Sequence, residues 1–237
     1  FPTMASLLAD VRPDLLHMDE EPYNLATYLA VRAARAAGVK TLFFSWQNID
    51  RRYPWPFRTL ERWVYAAADG AIAGTDGAAA VLRRKGFAGP LRVIPQFGVD
   101  PNLFAPREAP ERPFTVGFAG RMVPEKGLDT LLEAITGLEG EWRLMLCGTG
   151  PLLHQIERTV VANGILDRVA FCEHVPSAEM PARYAEMDAL VLPSRTRRNW
   201  KEQFGRVLIE AMACGVPVVG ADSGYSSIDD LIDIHSP

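Results

Sequence analysis

The 237-residue sequence carries 25 Lys plus Arg against 29 Asp plus Glu, a formal net charge of −4, and is 48% hydrophobic. That is a globular composition with apolar material for one large core or two small ones. The mild charge excludes long-range attraction to bare nucleic acid or an anionic surface, although Arg195, Arg197 and Arg198 make a local basic cluster. Cys147, Cys172 and Cys214 lie far apart, each in or beside an apolar run and without metal-ligand spacing. They read as buried structural thiols in a reducing compartment, which points to the cytoplasm. The sequence shows no signal-peptide pattern and no apolar run of membrane-spanning length. Both ends, Phe1 and Pro237, read as cut from a longer chain or as processed.

Strands alternate with helices along the chain, the pattern of parallel sheets covered on both faces. After a short helical stretch, 14–18 reads as a strand, 24–37 as an amphipathic helix ended by Gly38, and 41–45 as a strand. Leu60, Trp63, Val64 and Ala67 recur at helical spacing in 57–67. A small-residue strand at 70–74, a helix at 76–85 and a strand at 91–94 follow. Residues 99–113 hold Pro101, Pro106, Pro110 and Pro113 among charges and read as an interdomain linker, dividing the chain into domains at 1–107 and 108–237.

The second domain opens with a strand at 114–119. Leu128, Leu131, Leu132 and Ile135 then mark the inner face of a helix. A strand is expected at 142–147, a helix at 151–163, a strand at 169–171, a short helix at 180–185 and a strand at 189–192. A helix at 204–213, closed by Gly215, and a strand at 216–220 complete the series. The fold class is therefore α/β, with two parallel-sheet domains facing across a cleft.

The strongest chemical signal is Glu202-Gln203-Phe204-Gly205-Arg206-Val207-Leu208-Ile209-Glu210. Glu202 falls in a loop after a strand, and Glu210 about two turns into the next helix. The free N–H groups and positive dipole end near Phe204 and Gly205 suit a phosphate. One element thus offers a carboxylate for sugar hydroxyls, amides for a diphosphate and a carboxylate for ribose hydroxyls. The bland alternative, two ordinary solvated glutamates, carries less weight because the flanking Phe-Gly, Glu-Ala and Gly-Val-Pro residues are ordered around the pair.

A second signal is Gly117-Phe118-Ala119-Gly120-Arg121, continuing to Lys126-Gly127. It delivers two cations from the carboxyl end of a strand, which suits a leaving diphosphate. Gly148-Thr149-Gly150 is a weak Gly-x-Gly that would let a base or ribose lie against backbone. In Glu173-His174-Val175-Pro176, His174 reads equally as an idle loop histidine and as a contact to the base. His17, with Asp19, Glu20 and Glu21, reads equally as a solvated turn and as a group beside a reacting sugar. The cluster does not set a metal geometry. Trp46, Tyr53, Trp55 and Phe57 follow the second strand and suit either stacking on an acceptor or sealing a small core.

These motifs make the second domain resemble the C-terminal domain of family-4 retaining glycosyltransferases of the GT-B fold. The resemblance runs from Gly120-Arg121 through Pro124-Glu125-Lys126-Gly127, Gly148-Thr149-Gly150 and Leu192-Pro193-Ser194 to the glutamate pair and Ala221-Asp222-Ser223-Gly224. Pro13-Asp14-Leu15-Leu16-His17, Ala71-Ile72-Ala73-Gly74-Thr75 and Ile94-Pro95-Gln96-Phe97-Gly98-Val99-Asp100 extend it into the first domain. It implies transfer of a sugar from a nucleotide-diphosphate-sugar donor to a hydroxyl of a sugar, lipid or small molecule, with retention and without a metal cofactor.

In such enzymes the loop Arg and Lys, here Arg121 and Lys126, bind the donor diphosphate. Glu202 would bind the donor sugar and Glu210 the ribose. His17 and Glu202 are the implied catalytic pair. Gly120, Gly148, Gly150, His174, Val175, Phe204, Gly205, Arg206 and Val207 complete the implied donor site. The resemblance implies two Rossmann-like domains; the family's first glycine-rich loop and its C-terminal crossing tail find no counterpart, which implies that the first domain is incomplete and the chain shortened at both ends. Two alternatives stay open: a sugar-nucleotide epimerase of the same plan and a non-catalytic nucleotide-sugar-binding fragment or subunit. No nucleic-acid partner is implied. The arginine cluster and the aromatic loop leave peripheral contact with the inner membrane face open.

Overall fold

A computed structural model describes residues 2–95, 97–173 and 175–221. They fall into two compact units, divided ahead of Phe97.

In the first unit, α1 (Pro2–Val11) leads to β1 (Leu15–Met18), α2 (Leu25–Ala36), β2 (Lys40–Ser45), α3 (Phe57–Ala67), β3 (Gly70–Ala73), α4 (Asp76–Arg84) and β4 (Leu91–Val93). The strands form a parallel sheet in the order β1-β2-β3-β4. The start of α4 is set by Thr75, extended at φ -151°, whose hydroxyl accepts the Ala78 N–H. That bond satisfies one of the donors a helix start leaves open. Phe43, Val64, Ala71, Leu82 and Phe87 form the apolar core under these helices.

The second unit runs β5 (Phe114–Ala119), α5 (Leu128–Thr136), β6 (Trp142–Cys147), α6 (Leu153–Ala162), β7 (Val169–Cys172), α7 (Met180–Tyr184), β8 (Ala189–Leu192), α8 (Arg206–Ala213) and β9 (Val218–Gly220). Its parallel sheet has the order β7-β6-β5-β8-β9. The chain moves one way from β5 through β6 to β7, then returns to the other side of β5 for β8 and β9. Connections therefore diverge at the carboxyl ends of β5 and β8, where open α/β sheets hold ligands. Leu128, Leu131, Leu132 and Ile135 are all buried, as their spacing requires.

The 99–113 segment differs from the expected linker. Phe104 is buried and lies 6.5 Å from the Tyr184 ring, and Arg112 pairs with Asp188 at 2.7 Å. The segment is thus a strap on the second unit, and the division falls ahead of Phe97 rather than after Arg107. α8 begins at Arg206 rather than at Phe204, because Gly205 takes the left-handed conformation at φ 64° and sets the first helical residue after it. Glycine adopts that conformation without a steric penalty. The three cysteines are free thiols, with Cys147 and Cys214 buried and Cys172 half-buried.

Candidate functional site

The loops leaving β5 and β8 build one constellation. The loop after β5 carries Gly120, Arg121 and Lys126, and the chain between β8 and α8 carries Ser194 and Glu202. Lys126 Nζ and Glu202 Oε2 form an ion pair, with side chains only 14% and 12% exposed. Ser194, buried at the end of β8, donates its hydroxyl to the same oxygen at 3.0 Å. The Lys126 ammonium also lies 5.7 Å from the Trp200 ring centroid. Arg195 joins the two loops from outside: its backbone N–H donates to the Glu125 carbonyl at 2.8 Å and its guanidinium pairs with Asp129 at 2.7 Å.

Glu210 is only 5% exposed, which rules out the bland reading of a solvated helix glutamate. Tyr184 donates its hydroxyl to Glu210 Oε2 at 2.7 Å, and Arg206 on α8 donates to Oε1 at 3.2 Å. Arg206 stands one turn before Glu210, the spacing at which helix side chains meet. Burial first, and then the charge of Glu210, pushes the Tyr184 hydroxyl far above its usual pKa. It therefore stays a donor. Gly120, Arg121, Gly148, Thr149, Glu173, Val175, Met180, Tyr184, Val207 and Glu210 are among the residues around a cavity of about 290 Å3.

Gly148, on the wall of that cavity, lets two loops meet. It sits at φ 138°, and a Cβ there would lie 2.0 Å from the Gly120 carbonyl oxygen, inside van der Waals contact. Only a residue without a Cβ allows both that conformation and that approach. Two glycine loops can therefore pass at backbone contact, each fixed by β-type bonds: the Gly120 N–H donates to the Cys147 carbonyl and the Gly148 N–H to the Cys172 carbonyl.

The structure thus gathers Gly120, Arg121, Gly148, Val175, Val207 and Glu210 around one cavity and Lys126 with Glu202 in one ion pair. Gly150 does not line that cavity but packs against the Met122 carbonyl. The Phe204 side chain is buried against Phe97 at 5.9 Å, and Arg206 lies over Phe97 at 5.7 Å as well as bonding Glu210. The Phe204 ring is thereby engaged in packing. His17 lies exposed on β1 of the first unit. His174 lies outside the described residues. Sequence alone does not single out Tyr184 or Trp200, and gives Ser194 a place in the Leu-Pro-Ser motif but no role: each gains its role only from the carboxylate or ammonium it meets in space.

A larger cavity of about 450 Å3 lies between α5 and α6, bordered by Leu128, Leu132, Leu152 and Ile156. Asp129 and Glu133 also line it, and two carboxylates do not suit a charged diphosphate, so size does not choose the site.

Residues 99–232 match the family model for glycosyl transferases group 1, and residues 1–96 match the glycosyl transferase 4-like domain. The chain belongs to the glycosyl transferases group 1. Its sheets are those of the GT-B fold. Among solved structures similar to this group 1 chain, HepE from Anabaena in complex with UDP has a TM-score of 0.76 at 20% identity, over 97% of this chain and 65% of that one. A GDP-mannose-dependent alpha-(1-6)-phosphatidylinositol monomannoside mannosyltransferase of Mycolicibacterium smegmatis is 37% identical over 54% of this chain and 37% of its own length. A D-inositol 3-phosphate glycosyltransferase of Salinispora tropica is 32% identical over 75% of this chain and 43% of its own length. The match thus spans less than half the length of these curated relatives.

Proposed function

We propose that the second unit binds a nucleotide-diphosphate sugar and that the protein transfers its sugar to a hydroxyl acceptor with retention. The observations that support this reading are a cavity lined by Arg121 of the loop after β5 and by Val207 and Glu210 of α8, and the Lys126–Glu202 ion pair that ties the loop after β5 to the one after β8. Arg121, Lys126 and the N–H groups at the start of α8 suit the diphosphate. Glu210, oriented by Tyr184, suits the ribose hydroxyls, and Glu202 the hydroxyls of the transferred sugar. Negative charge grows on the departing diphosphate as the bond from the anomeric carbon to phosphate oxygen breaks, and fixed cations stabilise that charge. The acceptor oxygen bonds the anomeric carbon, and its proton leaves with the diphosphate. Retention rests on the family resemblance.

The relatives differ in base, GDP in one name and UDP in one complex, so the base is read by experiment. The 237-residue chain is titrated calorimetrically with GDP and UDP, then assayed for transfer. Binding of one of them, weakened about 10- to 100-fold by Lys126→Ala through loss of a charge-assisted contact, is expected. Neither nucleotide binding, or Lys126→Ala binding as wild type does, removes the reading.

A further inference from the structure

The donor-site reading uses none of the three cysteines, yet two of them meet. Cys147 ends β6 and Cys172 ends β7, and the register of these parallel strands sets the two residues side by side. Register partners on neighbouring parallel strands point to the same face of the sheet. Both residues are free thiols, within hydrogen-bonding reach of each other. Neighbouring strands stand about 4.8 Å apart, inside the window of about 4.4–6.8 Å between Cα atoms that a disulfide spans.

Access differs between the two. β7 is the outermost strand of its sheet, and Cys172 is half-buried there. Cys147 is only 3% exposed. Burial first, and then the neighbouring Cys172, push the Cys147 thiol above its ordinary pKa. Thiolate is the form that reacts. Cys172 is thus the thiol that meets a reagent from solution, and Cys147 the one that acts second.

The pair also borders the donor cavity. Cys147 lines it together with Gly148 and Thr149 of the loop after β6, and Glu173 and Val175 of the loop after β7 line it too. The Gly148 N–H donates to the Cys172 carbonyl at 2.8 Å, and Gly148 faces the Gly120 carbonyl without room for a Cβ. A disulfide holds its Cβ atoms about 3.8 Å apart, closer than the strand spacing. Whichever strand yields to a bridge therefore carries a wall of the cavity with it.

We propose that Cys147 and Cys172 form a reversible disulfide that deforms the donor cavity, with a small-molecule disulfide as the oxidant. The Cys172 sulfur, as thiolate, attacks one sulfur of the reagent, whose S–S bond breaks and releases one small thiol. The Cys147 sulfur then attacks the Cys172 sulfur of the mixed disulfide, and the second small thiol leaves. The protons of the two cysteines end on the two small thiols. Two cysteines are thereby oxidised and one reagent disulfide reduced. In a reducing medium the pair rests as thiols, and a loss of reducing power engages it. The effect on nucleotide rests on the donor-site reading, and the bond itself does not.

The test incubates the 237-residue chain with oxidised glutathione, alkylates the remaining thiols in denaturant and maps the peptides by mass spectrometry. A peptide pair joined through Cys147 and Cys172 is expected, with Cys214 alkylated. Calorimetry with GDP and UDP reads the cavity. The bridged protein binds the preferred nucleotide about tenfold or more weaker than the reduced one, the worth of one lost hydrogen bond to a charged group. Dithiothreitol restores the affinity. Cys172→Ser, with its fold checked by melting, keeps its affinity through the same treatment, while Cys214→Ser responds as wild type does. The proposal is overturned if no bond joins Cys147 to Cys172, if glutathione stays on Cys172 as the final product, or if the bridged protein binds nucleotide as the reduced one does. A bridge formed in a protein that binds neither nucleotide when reduced removes the donor-site reading and supports the bond, so the two failures are separable.

Discussion

Tyr184→Phe tests the Glu210 arrangement most directly. The substitution keeps the buried ring and deletes one oxygen, so packing against Phe104 survives while the 2.7 Å bond to Glu210 Oε2 is lost. Glu210 is 5% exposed, and water cannot replace the donor freely. Losing a hydrogen bond to a buried charge costs about 1.5–3 kcal/mol. Arg206 keeps the other oxygen at 3.2 Å. That puts the expected loss near the lower end, about 1.5–2 kcal/mol.

For a unit of this size that lowers the melting temperature by about 5 °C or more. Urea and thermal melts followed by circular dichroism read the stability, and calorimetry with the preferred nucleoside diphosphate reads the site. If Tyr184 acts by orienting Glu210, the nucleotide affinity falls too, and the same substitution in a Glu210→Gln background changes it little. A Tyr184→Phe variant within about 0.5 kcal/mol of wild type in stability, with equal nucleotide affinity, refutes the reasoning.

Two other closely packed positions, one in each unit, give measurable outcomes. Glu21 accepts from the Trp46 N–H at 2.7 Å and the Ser45 hydroxyl at 2.8 Å, yet burial outweighs these bonds and raises its pKa from the ordinary 4.5. The folded state therefore holds the proton longer than the unfolded one, and this group's contribution to stability declines as pH rises from 4.5 through the raised value. Urea melts of Glu21→Gln should lose that decline, and an identical slope in both proteins counts against it. Gly148→Ala places a methyl 2.0 Å from the Gly120 carbonyl at a φ of 138°. It should cost about 3 kcal/mol or more and abolish nucleotide binding, and wild-type melting and binding in this variant would show that the loops have slack.

Much of the fold is legible in the sequence because period and punctuation agree. The 128–135 spacing buries one helix face, Gly38 and Gly215 follow helix ends, and the strand residues of 114–119 and 142–147 pair in parallel as alternating α/β order requires. The strap at 99–113 reads as a linker because prolines and charges mimic one, while what fixes it is tertiary: Phe104 reaching Tyr184, and Arg112 reaching Asp188. The site is partly legible for the same reason. Glycines, loop cations and paired glutamates lie close in sequence within each motif. Tyr184 on a five-residue helix and Ser194 after β8 look like ordinary core and loop residues until their partners arrive from elsewhere in the chain.

The position of β5 has a consequence during synthesis. Its partner on one side, β6, is the next strand made, but its partner on the other, β8, follows only after β6, α6, β7 and α7. A ribosome-bound chain thus displays the unpaired N–H and C=O row of a central apolar strand until β8 has been made. Because Arg121 leaves β5 and Glu202 follows β8, the anion-holding corner cannot assemble before that one pairing forms.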